Sequence, residues 1–176
     1  MPAVWSLPLP LLTSRMRLRE HRPGDLDDLV VFHGDERVTR HTPWPVRSRE
    51  ETREALAVRT GQVRAAATGE AVVLAVEEVA TGTVVGEVLL LRTGDDEAAL
   101  GYALRADRWG RGLATEAAGA LVEAAFTVLG LHRLTAVVLP ANTASTAVLG
   151  KLGFTPVSAD EDRLVFELRP DQPPAG

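Results

Sequence analysis

The chain contains no cysteine. Disulfide bonds, thiolate metal sites and cysteine nucleophiles are therefore excluded, and we expect no metal site. Positive charge is also scarce, because 19 lysine and arginine residues stand against 24 aspartate and glutamate residues, a formal net charge of −5. The chain thus lacks the overall basic character typical of nucleic-acid-binding proteins. No apolar run reaches the roughly 18–20 residues that a membrane-spanning helix needs, so we expect neither a nucleic acid nor a membrane as partner.

The composition is that of an ordinary globular domain. The 176 residues are 45% hydrophobic and 24% charged, enough for one domain whose core needs no metal or disulfide. Residues 1–12 carry three prolines and no basic start, which favours an extended arm over a signal peptide. Residues 169–176 hold three prolines without apolar periodicity and predict a disordered tail. We expect one domain over residues 13–168 and, because neither end suggests export, a cytoplasmic protein.

The first half of the chain predicts one strand, two helices and then a run of strands. Met16–Arg19 alternates apolar and polar residues, the period of a half-buried strand. A first helix is expected from Leu26, and Ser48 with Glu51 forms a capping box for a second helix over Arg49–Ala66. Two strand runs rich in β-branched residues follow, Val72–Glu77 and Thr83–Leu91, and after a turn Glu97–Leu104 is the next strand of an antiparallel run.

The second half changes to a strand–helix–strand pattern. Apolar residues recur every three or four positions from Leu113 to Leu129, which predicts a long amphipathic helix. Arg133–Leu139 predicts a buried strand, and a βαβ unit of this kind places its two strands side by side and parallel. A short helix over Thr143–Leu152, capped by Asn142, and a last pair of strands complete the chain. The sequence therefore predicts an α/β (α+β) domain on a mixed, mostly antiparallel sheet.

The loop between the strand that ends at Leu104 and the long helix carries Gly110 and Gly112. The first N–H groups of a helix have no internal partner, and glycines let a ligand approach them, so this loop can cradle a diphosphate. It is not a Walker A loop, because no Gly-Lys-Ser/Thr triplet occurs, and Thr115 stands where the dinucleotide fingerprint needs glycine. Two glycines alone are equally consistent with a tight strand-to-helix turn.

Five stretches in order resemble the GNAT N-acetyltransferases: Thr13–Arg19, Gly101–Leu104, Trp109–Ala117, Asn142–Ser145 and Lys151–Phe154. The resemblance is greatest to the branch that contains ribosomal-protein N-terminal acetyltransferases and small-amine acetyltransferases. It implies a central sheet of about six to seven strands with about four helices, and a splayed parallel pair that holds coenzyme A. The family loop reads Gln/Arg-x-x-Gly-x-Gly/Ala, and here Trp109 occupies the Gln/Arg position.

The cofactor that the resemblance implies is acetyl-CoA, with coenzyme A as product. Its diphosphate would lie on the N–H groups that begin the long helix, and its pantetheine arm between the splayed strands. The residues expected to bind it are Ala103, Leu104, Trp109, Gly110, Arg111, Gly112, Leu113, Ala114, Thr115, Asn142 and Ser145.

In the family, an amine attacks the thioester directly, without an acyl-enzyme. Many members protonate the leaving thiolate from a tyrosine seven residues after the asparagine, but here that position is Leu149. We therefore expect Ser145 to be the proton donor, although it also fits as a second capping hydroxyl. Glu87 is the first candidate for the base, with Glu97, His132 or a water chain as alternatives. A backbone N–H near Ala103 or Leu104 would stabilise the oxyanion.

The acceptor is expected to be a primary amine, either of a small molecule or of a peptide or protein N-terminus. Trp44, between two prolines, and Tyr102 are the candidate substrate-binding residues, although both also fit as packing side chains. Glu116 is expected to complement the helix dipole. The alternatives are a catalytically silent CoA-binding regulatory module and a binder of another phosphorylated ligand. A monomer and a homodimer both remain open.

Overall fold

In the computed structural model, which describes residues 3–171, an eight-stranded sheet carries the helices. The strand order is β2-β3-β5-β6-β7-β8-β10-β9, and β1 pairs separately with β4. The strands are β1 Trp5–Ser6, β2 Leu11–Leu12, β3 Met16–Arg19, β4 Arg64–Ala65, β5 Ala71–Glu78, β6 Thr83–Arg92, β7 Glu97–Leu104, β8 Arg133–Val138, β9 Thr155–Ala159 and β10 Leu164–Leu168. Every neighbouring pair is antiparallel except β7 and β8, which are parallel. The mixed, mostly antiparallel fold is therefore confirmed.

Five α-helices connect these strands within the described chain. They are α1 Leu26–His33, α2 Glu36–Thr39, α3 Arg49–Arg59, α4 Leu113–Thr127 and α5 Thr143–Lys151. Ser48 and Glu51 form the predicted capping box at the start of α3. The predicted end of α3 at Ala66 is wrong, because the chain leaves the helix at Thr60 and Arg64–Ala65 becomes β4 against the N-terminal arm. None of the helices in residues 3–171 combines the length and hydrophobicity needed to cross a membrane.

The sheet separates two hydrophobic clusters. The larger cluster includes most of the buried residues of α4, while the smaller one joins the buried residues of α1 and α3. Successive residues of a strand point to opposite faces, and β5 shows this: Leu74 and Val76 belong to the larger cluster and Ala75 to the smaller. The central strands are thus covered on both sides.

The N-terminal arm is attached by a buried arginine. Arg92 donates from Nη1 to the carbonyl oxygens of Ala3 at 2.8 Å and Ala65 at 3.1 Å, and its guanidinium carbon lies 4.7 Å from the ring centre of Trp5. Charge-assisted hydrogen bonds to carbonyl groups let a buried arginine replace its hydration. Arg92 therefore holds the arm and β4 against the sheet. Of the predicted tail, residues 172–176 lie outside the described residues.

Candidate functional site

The parallel strands β7 and β8 pair over only three residues. Glu97–Ala99 of β7 matches Arg133–Thr135 of β8, and beyond these pairs β7 continues to Leu104 without contacting β8 through backbone hydrogen bonds. A gap therefore opens between the carboxyl-terminal halves of two neighbouring strands. This is the splayed pair that the resemblance implies.

The register of β7 decides which backbone groups face this gap. Arg105 donates its N–H to the carbonyl of Val85 on β6 at 2.8 Å. In an antiparallel pair the hydrogen-bonding direction alternates along the strand, so Ala103 also points to β6 while Tyr102 and Leu104 point to the gap. The Leu104 carbonyl accepts the Trp109 Nε1 proton at 2.9 Å. The Leu104 N–H, rather than that of Ala103, is thus the donor available at the gap.

The glycine loop leads into α4 with its backbone donors free. Gly110 and Gly112 have φ values of 72° and 75°, a left-handed conformation that side chains disfavour. Gly112 is the N-cap of α4 and no side chain caps the helix. The N–H groups of Leu113, Ala114 and Thr115 consequently lack a helical partner, and the helix dipole adds partial positive charge there.

Helix α5 presents a serine at the other side of the gap. The Asn142 side chain accepts from the Ser145 N–H at 3.1 Å, which caps the helix. The Tyr102 hydroxyl donates to the Ser145 carbonyl at 3.0 Å and so joins β7 to α5. Burial raises the pKa of Tyr102 to about 12. Within residues 3–171 the Ser145 hydroxyl has no hydrogen-bond partner, whereas Leu149 is fully buried in the core.

A cavity of about 400 Å³ unites these elements. It is lined by most of the residues that the resemblance assigns to cofactor binding, together with Tyr102. They are Tyr102, Ala103, Leu104, Trp109, Gly110, Gly112, Leu113, Ala114, Thr115, Asn142 and Ser145. Arg111 is not among the lining residues. The helix start, the gap between the strands and the serine therefore open into one space.

Glu87 does not line this cavity but lies in a buried ion cluster. It is 3% exposed, is hydrogen-bonded by Arg59, and lies 3.3 Å from His21 Nε2 and 3.8 Å from His33 Nε2. Burial alone would raise the pKa of the Glu87 carboxyl, but His33 and the charge of Arg59 lower it to about 2. A carboxylate with such a low pKa is a weak proton acceptor at neutral pH. The structure therefore does not support Glu87 as the base.

Trp44 is also absent from the cavity lining. Its ring packs edge-on to Phe32 and His33, with centroids 6.4 Å and 6.0 Å away, and lies within 6 Å of the guanidinium carbons of Arg47 and Arg59. The sequence predicts that Trp44 forms a wall for the acceptor. Its side chain instead packs between aromatic rings and arginines and does not line the cavity.

The other two candidate bases are engaged elsewhere, since Glu97 binds Arg133 and His132 contacts the Gly130 carbonyl.

Three further residues that sequence reasoning did not single out also line the cavity. These are Val38, His41 and Thr42. The Nδ1 atom of His41 is buried without a hydrogen-bond partner in the described chain. All three lie in or next to the short helix α2. No spacing pattern marks His41, so only the folded chain identifies it.

Glu116, in the first turn of α4, holds the segment before β3. Its carboxylate accepts from the Thr13 hydroxyl at 2.6 Å, the Ser14 hydroxyl at 3.2 Å, the Arg15 N–H at 2.8 Å and Arg15 Nε at 2.7 Å. Arg15 Nη1 then donates to the Arg111 carbonyl at 3.0 Å. The expected role of Glu116, to complement the helix dipole, thus does not account for these hydrogen bonds. Glu116 attaches the N-terminal segment to the glycine loop.

Known proteins resemble this chain in sequence and in fold. The family model for the acetyltransferase (GNAT) domain matches residues 15–155. The uncharacterized N-acetyltransferase p20 of Bacillus licheniformis is 29% identical over 146 residues, which are 82% of this chain and 81% of that protein. A GNAT-family acetyltransferase structure from Bacillus anthracis superposes with a TM-score of 0.79 over 92% of this chain and 98% of its own, at 20% identity. RimL, a ribosomal alpha-N-protein acetyltransferase solved with coenzyme A, superposes with a TM-score of 0.75 over 94% and 99%, at 19% identity.

Proposed function

The chain belongs to the GNAT acetyltransferase family, and from that premise we propose that it moves an acetyl group from acetyl-CoA to a primary amine. One observation carries the proposal. The unpaired N–H groups at the start of α4, the backbone of Leu104 and the hydroxyl of Ser145 all open into the same cavity. Such a space has donors for an anion at one end and groups suited to acyl transfer along its length.

The residues present fit coenzyme A at the α4 end. A diphosphate is bound well by several main-chain N–H groups at a helix start, provided that no side chain covers them. Gly112 leaves that space open, and a Cβ atom there would lie 3.6 Å from Arg15 Nη2 and require a strained backbone. The loop therefore has a conformational reason to carry glycine at this position.

Acetyl-CoA, when bound, supplies the thioester carbonyl that an amine attacks. The Leu104 N–H faces the gap between the strands and is the donor for the oxygen on which negative charge develops. The Ser145 hydroxyl is the proton donor for the leaving thiolate, because its backbone is held by Asn142 and Tyr102 while the hydroxyl stays free. Tyr102 retains its own proton at neutral pH and positions Ser145.

The proton of the incoming ammonium needs an acceptor at the opposite end of the cavity. We assign this role to His41, because its side chain lines the cavity and an imidazole is the side chain that most often serves as a general base. The acceptor itself is an amine of a small molecule or of a peptide or protein N-terminus. The fold shared with RimL, whose name records a ribosomal protein as substrate, supports the peptide alternative.

The test is to mix the purified protein with acetyl-CoA and a panel of amines, peptides with free N-termini and aminoglycosides, and to measure free coenzyme A thiol. We expect amine-dependent thiol release with at least one acceptor, and an acetylated product by mass spectrometry. Tight acetyl-CoA binding without thiol release for any acceptor would instead favour the silent regulatory module, which the buried Leu149 in place of the family's tyrosine motivates.

A further inference from the structure

Arg15 carries hydrogen-bond donors that the protein leaves unused. A guanidinium has five N–H groups in a fixed plane. Nε donates to Glu116 Oε2 at 2.7 Å, Nη2 forms an ion pair with the same oxygen at 2.6 Å, and one Nη1 proton is donated to the Arg111 carbonyl at 3.0 Å. One proton on each Nη atom therefore remains without a partner in the described chain. The side chain is 49% exposed and yet held at three of its donors.

These unused donors lie at the start of α4. The distance from Arg15 Nη2 to the position that a Cβ of Gly112 would occupy is 3.6 Å. Gly112 is the N-cap of α4, so the guanidinium stands next to the N–H groups of the first helical turn. Trp109, at the loop position where the family pattern has glutamine or arginine, uses its only side-chain donor on the Leu104 carbonyl.

Arg15 also compensates a negative charge at this place. The Glu116 carboxylate belongs to the first turn of α4, where it would repel a bound anion. Nε and Nη2 of Arg15 both contact Oε2 of that carboxylate, and this pairing offsets its negative charge. Arg108, which lines the cavity, pairs with Asp107 at 3.0 Å and lies 3.5 Å from Glu78.

We propose that Arg15, from outside the glycine loop, binds the diphosphate of coenzyme A with its two unused N–H groups while cancelling the charge of Glu116. The inference rests on the proposed function, because it assigns a further residue to the same cofactor site. Arg15 lies 97 positions before Gly112 in the chain. It thereby supplies the cationic side chain that Trp109, at the Gln/Arg position of the loop, does not.

The test compares affinities for coenzyme A and for pantetheine, which lacks the diphosphate, by calorimetry at low and high salt. The variants are Arg15→Met, Arg15→Lys, Glu116→Gln and the double variant Arg15→Met/Glu116→Gln. Arg17→Met is the matched control. Arg17 is on β3, the strand that begins just after Arg15, and it pairs with the Glu77 carboxylate at 2.7 Å. Neither Arg17 nor Glu77 lines the cavity. Thermal unfolding of each variant shows whether it is folded.

We expect Arg15→Met to weaken coenzyme A binding by about tenfold or more at low salt, as loss of charge-assisted hydrogen bonds does. The loss shrinks at high salt, because exposed charges are screened. Pantetheine affinity stays the same, Arg15→Lys is intermediate because it keeps the charge without the fork, and the double variant regains part of the affinity because the uncompensated carboxylate is gone.

Three results would overturn the inference. One is folded Arg15→Met that binds coenzyme A as tightly as the unchanged protein. Another is a loss of coenzyme A affinity in Arg15→Met that stays the same at low and high salt, which would mean that Arg15 only shapes the loop. A third is an equal loss in Arg17→Met. If the unchanged protein bound neither compound, the proposed function would fall as well, so the two failures are distinguishable.

Discussion

The two faces of the central sheet differ in the polar groups that they carry, although neighbouring residues of β6 and β7 contribute to both. On the α4 side the ligand-binding groups are mainly backbone donors beside glycines, with Ser145 and Tyr102 at the edge. On the α1 side Glu87, His21, His33 and Arg59 form a buried charged cluster that the cavity does not reach. A backbone N–H can bind a ligand whatever side chain its residue carries, whereas a buried charge is stable only while all of its partners are present. Function thus depends on the groups that line the cavity and stability on the buried cluster around Glu87, and the following changes test that separation.

The largest expected effect is on the α4 side. Ser145→Ala removes the only free hydroxyl that we assign to thiolate protonation, and we expect kcat to fall by about 10³-fold while coenzyme A affinity stays the same. Thr146→Ala is the control, because the Thr146 hydroxyl bonds the Asn142 carbonyl and does not line the cavity. Steady-state kinetics and calorimetry measure both quantities. Unchanged kcat in Ser145→Ala would remove this residue from the mechanism.

A second change addresses the acceptor end of the cavity. His41→Asn removes the imidazole that we assign as base, and we expect a loss of about 10² in kcat/KM that is partly restored at high pH, where the acceptor is already present as free amine. The control is His132→Asn, since His132 lies exposed beside Gly130 and away from the cavity. The measurement is a pH–rate profile. Equal profiles for His41→Asn and the unchanged protein would contradict the assignment.

Glu87→Gln should separate stability from activity. It removes the charge that Arg59, His21 and His33 surround, and breaking a buried ion pair costs on the order of 3 kcal/mol of unfolding free energy. We expect denaturant unfolding to show this loss while kcat of the folded variant changes less than about threefold. A large fall in kcat without loss of stability would restore Glu87 as a candidate base.

The smallest effect is the shape of the stability–pH profile. Burial lowers the pKa of His21 below its usual 6.5, so the unfolded chain takes up this proton first and stability falls as pH drops below about 6.5. Glu87 has a pKa near 2 against a usual 4.5, so its contribution is full above about 4.5 and is lost as pH falls towards 2. Unfolding measured across pH should show both steps, and Glu87→Gln should lose only the acidic one.

Local pattern predicted much of the fold and the cofactor half of the site. β7 begins and ends as predicted, at Glu97 and Leu104, and the caps Ser48 and Asn142 act as their side chains suggest. Caps, turns and periodicity involve residues within a few positions, so they can be read from the sequence.

The remaining features depend on contacts between distant positions. Arg15 meets Glu116 across 101 residues and Arg59 meets Glu87 across 28, and no spacing records either pair. Alternation along β6 predicts that Glu87 lies on one face but not that two histidines and an arginine enclose it. For the same reason His41 was missed at the acceptor end.

The most direct measurement concerns the backbone donors at the start of α4. Gly112→Ala forces a side chain onto a residue with φ of 75°, and Gly130→Ala applies the same strain at φ of 66° outside the cavity. We expect Gly112→Ala to weaken coenzyme A binding by about tenfold or more, since the helix start can no longer receive the diphosphate. Gly130→Ala should leave that affinity unchanged. Equal coenzyme A affinity in both variants and the unchanged protein would contradict the account.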